Sequence, residues 1–199
     1  MQIRDLYDKY NLMPQLREHQ LRVGGIAKLI TDEWDDREIA RESVLSCLLH
    51  DMGNIVKFHD LSDPQWLEVQ KYYQAKYGND AHDATVGILN DAGLYQYVEY
   101  IEEEKKLYEL TPTAKEVFDT YSRPAIIVLY SDLRVIPTGV ASILERTEDL
   151  VRRYRNKRTE NIYGPPTEEY VQSLTSINVA SISEEDVRPL FDELLTMTV

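Results

Sequence analysis

Apolar residues in this chain recur at spacings of three and four, and alternation of apolar with polar residues is absent over most of its length. A period near 3.6 builds helices with one apolar face, and such faces are buried by packing against one another. The fold class that follows is all-α. Leu16, Val23, Ile26, Ala27 and Ile30 mark a helix from Pro14 to near Glu33. Ala40, Val44, Leu45, Leu48 and Leu49 mark a second from Arg37 to near Met52, with Gly53 placed to stop it. Asp63-Pro64 opens a third by cap and first-turn proline, reaching Tyr77. Gly78-Asn79-Asp80 and Ala92-Gly93 bound a fourth that ends near Asp91, and residues 94–108 read as helical and acidic. Thr111-Pro112 opens a short helix, and Ser122 with Pro124 a long apolar one through Ile136. Pro137-Thr138-Gly139 interrupts it before a helix from Val140 to Lys157. Gly164-Pro165-Pro166 reads as a linker ahead of two short helices, the second opened by Ser183 with Asp186 three residues on, a capping-box pattern.

The 199 residues are enough for one domain with a real core. A net charge of −13 argues against nonspecific nucleic-acid binding, which needs clustered basic charge. It says nothing against a small phosphate ligand, because a metal ion and a few local cations can dominate the field at one site. No apolar run approaches the roughly 20 residues that span a bilayer. The opening MQIRDLYDKYNLMPQ has no secretory h-region. A cytoplasmic protein with no membrane partner is the expectation. The single cysteine, Cys47, lies in SVLSCLLHD and reads as a small buried hydrophobe.

Three polar residues fall on apolar stripes. His19 lies three after Leu16 and four before Val23; Asp51 continues the stripe of Val44, Cys47 and Leu48; Asp132 follows Leu129 and Val128 and precedes Val135 and Ile136. An ionised carboxylate facing a core is expensive unless a cation or hydrogen bonds compensate it. Taken singly, a core histidine is more often hydrogen-bonded than a ligand. A lone buried aspartate more often caps a helix or pairs with an arginine, and Arg134 or Arg146 could serve. Taken together, the three call for one explanation, and a divalent metal held between helices gives it.

The stretch LREHQLRVGGIAKLI resembles the first motif of the HD superfamily of metal-dependent phosphohydrolases, a histidine in an amphipathic first helix. VLSCLLHDMGNIVKF resembles the defining His-Asp motif, and AIIVLYSDLRVIP the last motif, an apolar helix carrying an aspartate. The three stand in the family's order and span residues 16 to 137; the chain past about residue 160 carries no such likeness. The resemblance implies an HD-domain helical bundle over residues 1–160, with residues 161–199 as a C-terminal helical extension packed on the same domain. It implies metal ligands His19, His50, Asp51 and Asp132. Nitrogen and oxygen donors without thiolate suit Mn²⁺, Fe²⁺, Co²⁺ or Ni²⁺, and admit Zn²⁺ or Mg²⁺. The implied activity is hydrolysis of a small phosphate ester, most plausibly a nucleotide, by metal-activated water.

Two departures qualify that expectation. Many HD phosphodiesterases carry lysine, and many nucleotidase-like members glutamate, where this chain has Asn54. Asparagine can hydrogen-bond phosphate or water but is neither acid nor base near neutrality. The catalytic candidates are therefore Asp51, Asn54 and His59, His59 being the proton donor and Asp60 a reserve. Members with two metals add histidines before the last motif. Here His82 resembles the first of these, and the next is replaced by the acidic run containing Glu102, Glu103 and Glu104. One ion is expected, a second is allowed, and the acidic run reads as a solvated face. Candidate substrate contacts are Lys57, His82, Arg22, Arg134 and Arg146, with Arg17 and the basic run Arg152 to Arg158 behind them. The run also fits favourable charge at a helix C-terminus. Fourteen tyrosines could stack on a base or fill the core. Rival readings are a degenerate HD module regulating a partner through bound metal or nucleotide, and an oxygenase needing a fuller two-metal set. A homo-oligomer stays open.

Overall fold

A computed structural model describes residues 1–59, 61–154 and 160–199. The chain starts with a helix that its spacing does not announce, α1 (Ile3–Lys9), which buries Ile3, Leu6 and Tyr7. Seven residues are too few for a helix stable on its own. Its stability comes from the far end of the chain, where Ile3 N donates to Met197 O and Gln2 bridges to Thr198.

The next elements follow the predicted order. They are α2 (Pro14–Thr31), α3 (Arg37–Leu49), a 3₁₀ turn (Asn54–Lys57), α4 (Pro64–Tyr77), α5 (Ala81–Asp91), α6 (Tyr95–Leu110), the short α7 (Lys115–Phe118) and α8 (Arg123–Asp132). Pro14, Pro64 and Pro124 all sit in first turns, where a missing N–H costs nothing. Asp36, Asp63, Asp80 and Ser122 cap α3, α4, α5 and α8 through their side chains. At the centre, α3 packs against both α2 and α8, and α6 closes the bundle against α3 and α8. The all-α expectation is met.

Gly53 does a different job from the one its position suggests. Its φ is −91°, so it is no left-handed cap. A Cβ there would stand 2.4 Å from the backbone nitrogen of Thr85, and Gly53 N donates to Thr85 Oγ1 at 2.9 Å. The residue is small because α5 crosses the chain at that point.

Three boundaries differ from expectation. The helix through Ile136 stops at Asp132, and Val135–Ile136 (β1) pairs antiparallel with Gly139–Val140 (β2) in a tight hairpin. Arg134 fixes this: its carbonyl accepts from Ala141 N and its Nε donates to Ala141 O at 2.6 Å, closing the loop across its own backbone. The next helix, α9 (Ile143–Tyr154), therefore starts after Val140. Gly164-Pro165-Pro166 lies inside α10 (Glu160–Gln172), so it is not a linker. Proline is costly within a helix. Here it is offset by packing on α8 and α9, with Tyr163 and Thr167 fully buried and Gly164 pressed against Ile143. The proposed boundary at residues 160/161 accordingly falls at the start of α10.

The chain ends in α11 (Glu184–Val187), opened by the expected Ser183–Asp186 capping box, and α12 (Phe191–Thr196). Both pack on α2. Arg22 of α2 holds Glu184 through both carboxylate oxygens at 3.0 Å. The C-terminal elements thus brace the helix that carries His19. No helix among the described residues is long and apolar enough to cross a membrane.

Candidate metal centre

His19 lies in α2, His50 and Asp51 directly follow α3, and Asp132 is the last residue of α8. The central packing of these three helices brings the four side chains together. His19 Nε2 is 3.1 Å from Asp132 Oδ1 and 3.3 Å from Asp51 Oδ2. His50 Nε2 is 3.8 Å and 3.7 Å from the same oxygens. The two imidazole centroids are 5.3 Å apart. Ligand atoms of His19, His50 and Asp51 all fall within 4.8 Å of one another, a group able to hold a metal ion.

Charge and hydrogen bonding fit that group to a cation. His50 Nδ1 is 2.8 Å from the Cys47 carbonyl, which can only accept, so Nδ1 carries hydrogen. In neutral His50 the Nε2 lone pair then faces two carboxylate oxygens, an arrangement that repels unless a cation or proton lies between. His19 Nε2, His50 Nε2 and Asp132 Oδ1 are buried yet make no aligned hydrogen bond. Such orphans in a native fold call for a missing partner. The C-terminal ends of α3 and α8 also point here, and their dipoles favour positive charge.

The electrostatics agree. Burial alone would depress His50, but Asp51, Asp132 and the Cys47 carbonyl outweigh it and lift the imidazole to about 9. Burial likewise disfavours ionised Asp51, yet His50, His19 and Lys57 hold it well below the usual carboxylate range. For Asp132, burial is overcome by Arg146 and the two histidines. Side-chain exposure rises from 5% at His50 to 30% at Asp132, so the cluster is closed at its base and open on the Asp132 side.

The other expected residues divide. Arg146 reaches the cluster, with Nη2 3.2 Å from Asp132 Oδ2. Lys57 is exposed, close enough to act electrostatically on Asp51. Asn54 is buried at the start of the 3₁₀ turn, its backbone N–H bonded to Asp51 O. Three substrate-contact expectations are corrected. Arg134 is 2% exposed, with its donors engaged by Tyr130 and by the carbonyls of Ala141, Val179, Ala180 and Ile182. Arg22 is engaged by Glu184 and Glu18. His82 pairs with Glu102 at 3.1 Å, joining α5 to α6. Arg17 is likewise tied to Asp8 and to the Leu12 and Tyr7 carbonyls. His59 is exposed and makes no hydrogen bond or ion pair with the four clustered side chains among the described residues. Arg152 and Arg153 pair with Asp149, while Asp60, Arg155, Lys157 and Arg158 lie outside the described residues. Cys47 is fully buried and its thiol pushed up by desolvation, as a core residue should be.

Glu104 is the residue that the acidic-run reading passes over. Burial, with Asp132 and Asp51 reinforcing it against His50 and Lys57, pushes its carboxyl up to about 8. The sequence carried a signal: Glu104 is three after Ile101 and seven after Tyr97, both buried, and so lies on the inward stripe of α6.

No protein-family model, curated protein or solved structure matches the chain.

Proposed function

We propose that the chain is a metal-dependent phosphohydrolase of the HD type, with His19, His50, Asp51 and Asp132 holding one divalent transition metal and a small phosphate ester as substrate. The observation that carries this reading is the convergence of orphaned imidazole nitrogens and a carboxylate oxygen from three helices on one partly open point. A divalent ion bound there supplies a Lewis acid for a phosphoryl oxygen and for the attacking water. The chain's own part is to orient and to move protons. The Cys47 carbonyl fixes the tautomer of His50. Arg146 braces Asp132, leaving its other oxygen toward the histidines. Glu104 replaces His59 as candidate proton donor, since it lies on the inward stripe of α6 and interacts electrostatically with His50, Asp51 and Asp132.

The test is a screen of divalent ions against aryl phosphates, alkyl phosphates and nucleotides, on wild type and Asp51→Asn. Turnover that appears with metal and vanishes in Asp51→Asn supports the reading. Metal-loaded wild type that hydrolyses none of these esters would displace it in favour of a metal-binding regulatory module.

Glu104→Gln gives a second check. An alkoxide leaving group needs a proton and a nitrophenolate does not. The substitution should slow an alkyl phosphate by about a hundredfold, and an aryl phosphate far less. Equal losses on both would remove Glu104 from proton transfer.

A further inference from the structure

Arg146 has a donor with nothing to donate to. Its Nη2 holds Asp132 Oδ2, but Nε is buried without a hydrogen-bond partner, and the side chain is 14% exposed. A buried guanidinium N–H left unpaired is costly, because the group has lost water and gained nothing. The planar fork of arginine suits two oxygens of one oxyanion or of two neighbours. Asp132 takes one position of the fork, and the Nε position beside it is buried and unfilled, next to the most exposed of the four clustered side chains.

The local charge points the same way. Asp51 and Asp132 balance a divalent ion, and the histidines, once ligated, add nothing. Arg146 and Lys57 then remain as uncompensated positive charges; among the described residues Lys57 has no ion-pair partner, and it acts on both Asp51 and Glu104. The other nearby arginines, Arg22 and Arg134, are neutralised or saturated elsewhere. The field at the mouth stays positive whichever form Glu104 takes. A positive field favours a dianion over a monoanion of the same shape.

We propose that Arg146 is the phosphate-reading side chain of this centre, and that the group it reads is a terminal phosphoryl dianion, as on a phosphomonoester, rather than the monoanion of a diester. Nε donates to one phosphoryl oxygen while Nη2 keeps Asp132 in place, so one guanidinium couples substrate to the metal ligand set. The inference rests on the metal-centre reading above, and its test is kept separate from turnover.

Manganese-loaded protein is titrated calorimetrically with inorganic phosphate and with dimethyl phosphate, metal occupancy being measured on the same samples. Wild type should bind phosphate at least about tenfold tighter than dimethyl phosphate. Arg146→Gln should lose about tenfold or more of its phosphate affinity, the value of one charge-assisted hydrogen bond, at unchanged saturating metal. Arg146→Lys keeps the charge without the fork and should fall between the two. Lys57→Met, at an exposed position, should narrow the preference for phosphate and serves if Arg146→Gln does not fold. Equal binding of the two anions by wild type overturns the dianion. Unchanged phosphate affinity in Arg146→Gln, or loss of metal in place of phosphate, reduces Arg146 to a brace for Asp132 and overturns the proposal. Phosphate binding with the expected pattern in a protein that turns over no ester leaves this inference standing and removes the hydrolase reading. Ester turnover with phosphate binding indifferent to Arg146 does the reverse.

Discussion

Asp132→Ala is expected to weaken metal binding by more than about a hundredfold, since loss of a mere outer partner of a ligand costs ten to a hundredfold. The His50→Ala, Asp51→Ala double variant should bind none. The same centre makes the metal's effect on stability depend on pH. In the stripped protein the Asp51 and Asp132 carboxylates keep a proton on His50 to about 9. A histidine whose folded pKa is raised contributes stability that is complete below its unfolded value near 6.5 and lost as pH climbs through the folded value. Glu104 works in the same direction, because the folded state holds its proton to about 8 while the unfolded chain has released it. Stripped protein should therefore lose about 3 kcal/mol from His50 alone between pH 6.5 and 9. Asp51 and Asp132 stay ionised throughout that window and add no slope. A metal held there would take the place of the proton on His50, so loaded protein should lose much less. Thermal unfolding of loaded and stripped samples should thus diverge as pH rises. Parallel curves, or equal metal content in wild type and the double variant, would sink the centre as drawn.

Which parts of this were legible in the sequence follows from what spacing reports. Apolar spacing tells which face of a helix is buried, and prolines and caps tell where it starts; α2 to α6 and the start of α8 follow from these alone. The clustered polar residues were legible for the same reason, since His19, Asp51 and Asp132 are polar residues on buried faces. Spacing does not report what lies opposite. The apolar positions Leu133, Val135 and Ile136 suit a helix or a hairpin, and Arg134 reaching Ala141 decides between them. α1 is too short to register without α12, which packs on it. Gly53 looks like a helix stop because its neighbour α5 is distant in sequence. Long side chains are the hardest. Arg22, Arg134 and Arg146 are alike in composition and closeness to motifs, yet one binds Glu184, one fills a cage of carbonyls and one reaches Asp132. Glu104 differs from Glu102 and Glu103 only in helical phase, with Glu102 bonded to His82 and Glu103 to Ser122 N.

Arg134 yields the second large effect, on stability rather than on metal. A guanidinium carries five N–H donors and can be buried only where each finds an acceptor. Here Nε donates to Ala141 O, Nη1 to Val179 O and the Tyr130 hydroxyl, and Nη2 to Ala180 O and Ile182 O. Tyr130 in turn donates to Glu168, whose carboxylate lies 3.7 Å from the guanidinium. One side chain thus ties α8 and the hairpin to α10 and to the segment leading into α11. Arg134→Met fills similar space but leaves those carbonyls facing apolar atoms, and the Glu168 carboxylate loses its cation. The expected loss is about 3–5 kcal/mol, the usual consequence of removing one partner from a buried charged network. Arg134→Lys keeps the charge but offers three donors on a single nitrogen, and should recover only part of it. Urea unfolding measures both. Because the C-terminal elements brace α2, proteolysis near residues 173–183 should quicken before global unfolding in Arg134→Met. Phosphate binding in the folded fraction should stay as in wild type, since no donor of Arg134 points to the cluster. A variant that kept its stability and lost phosphate binding would return Arg134 to the substrate site.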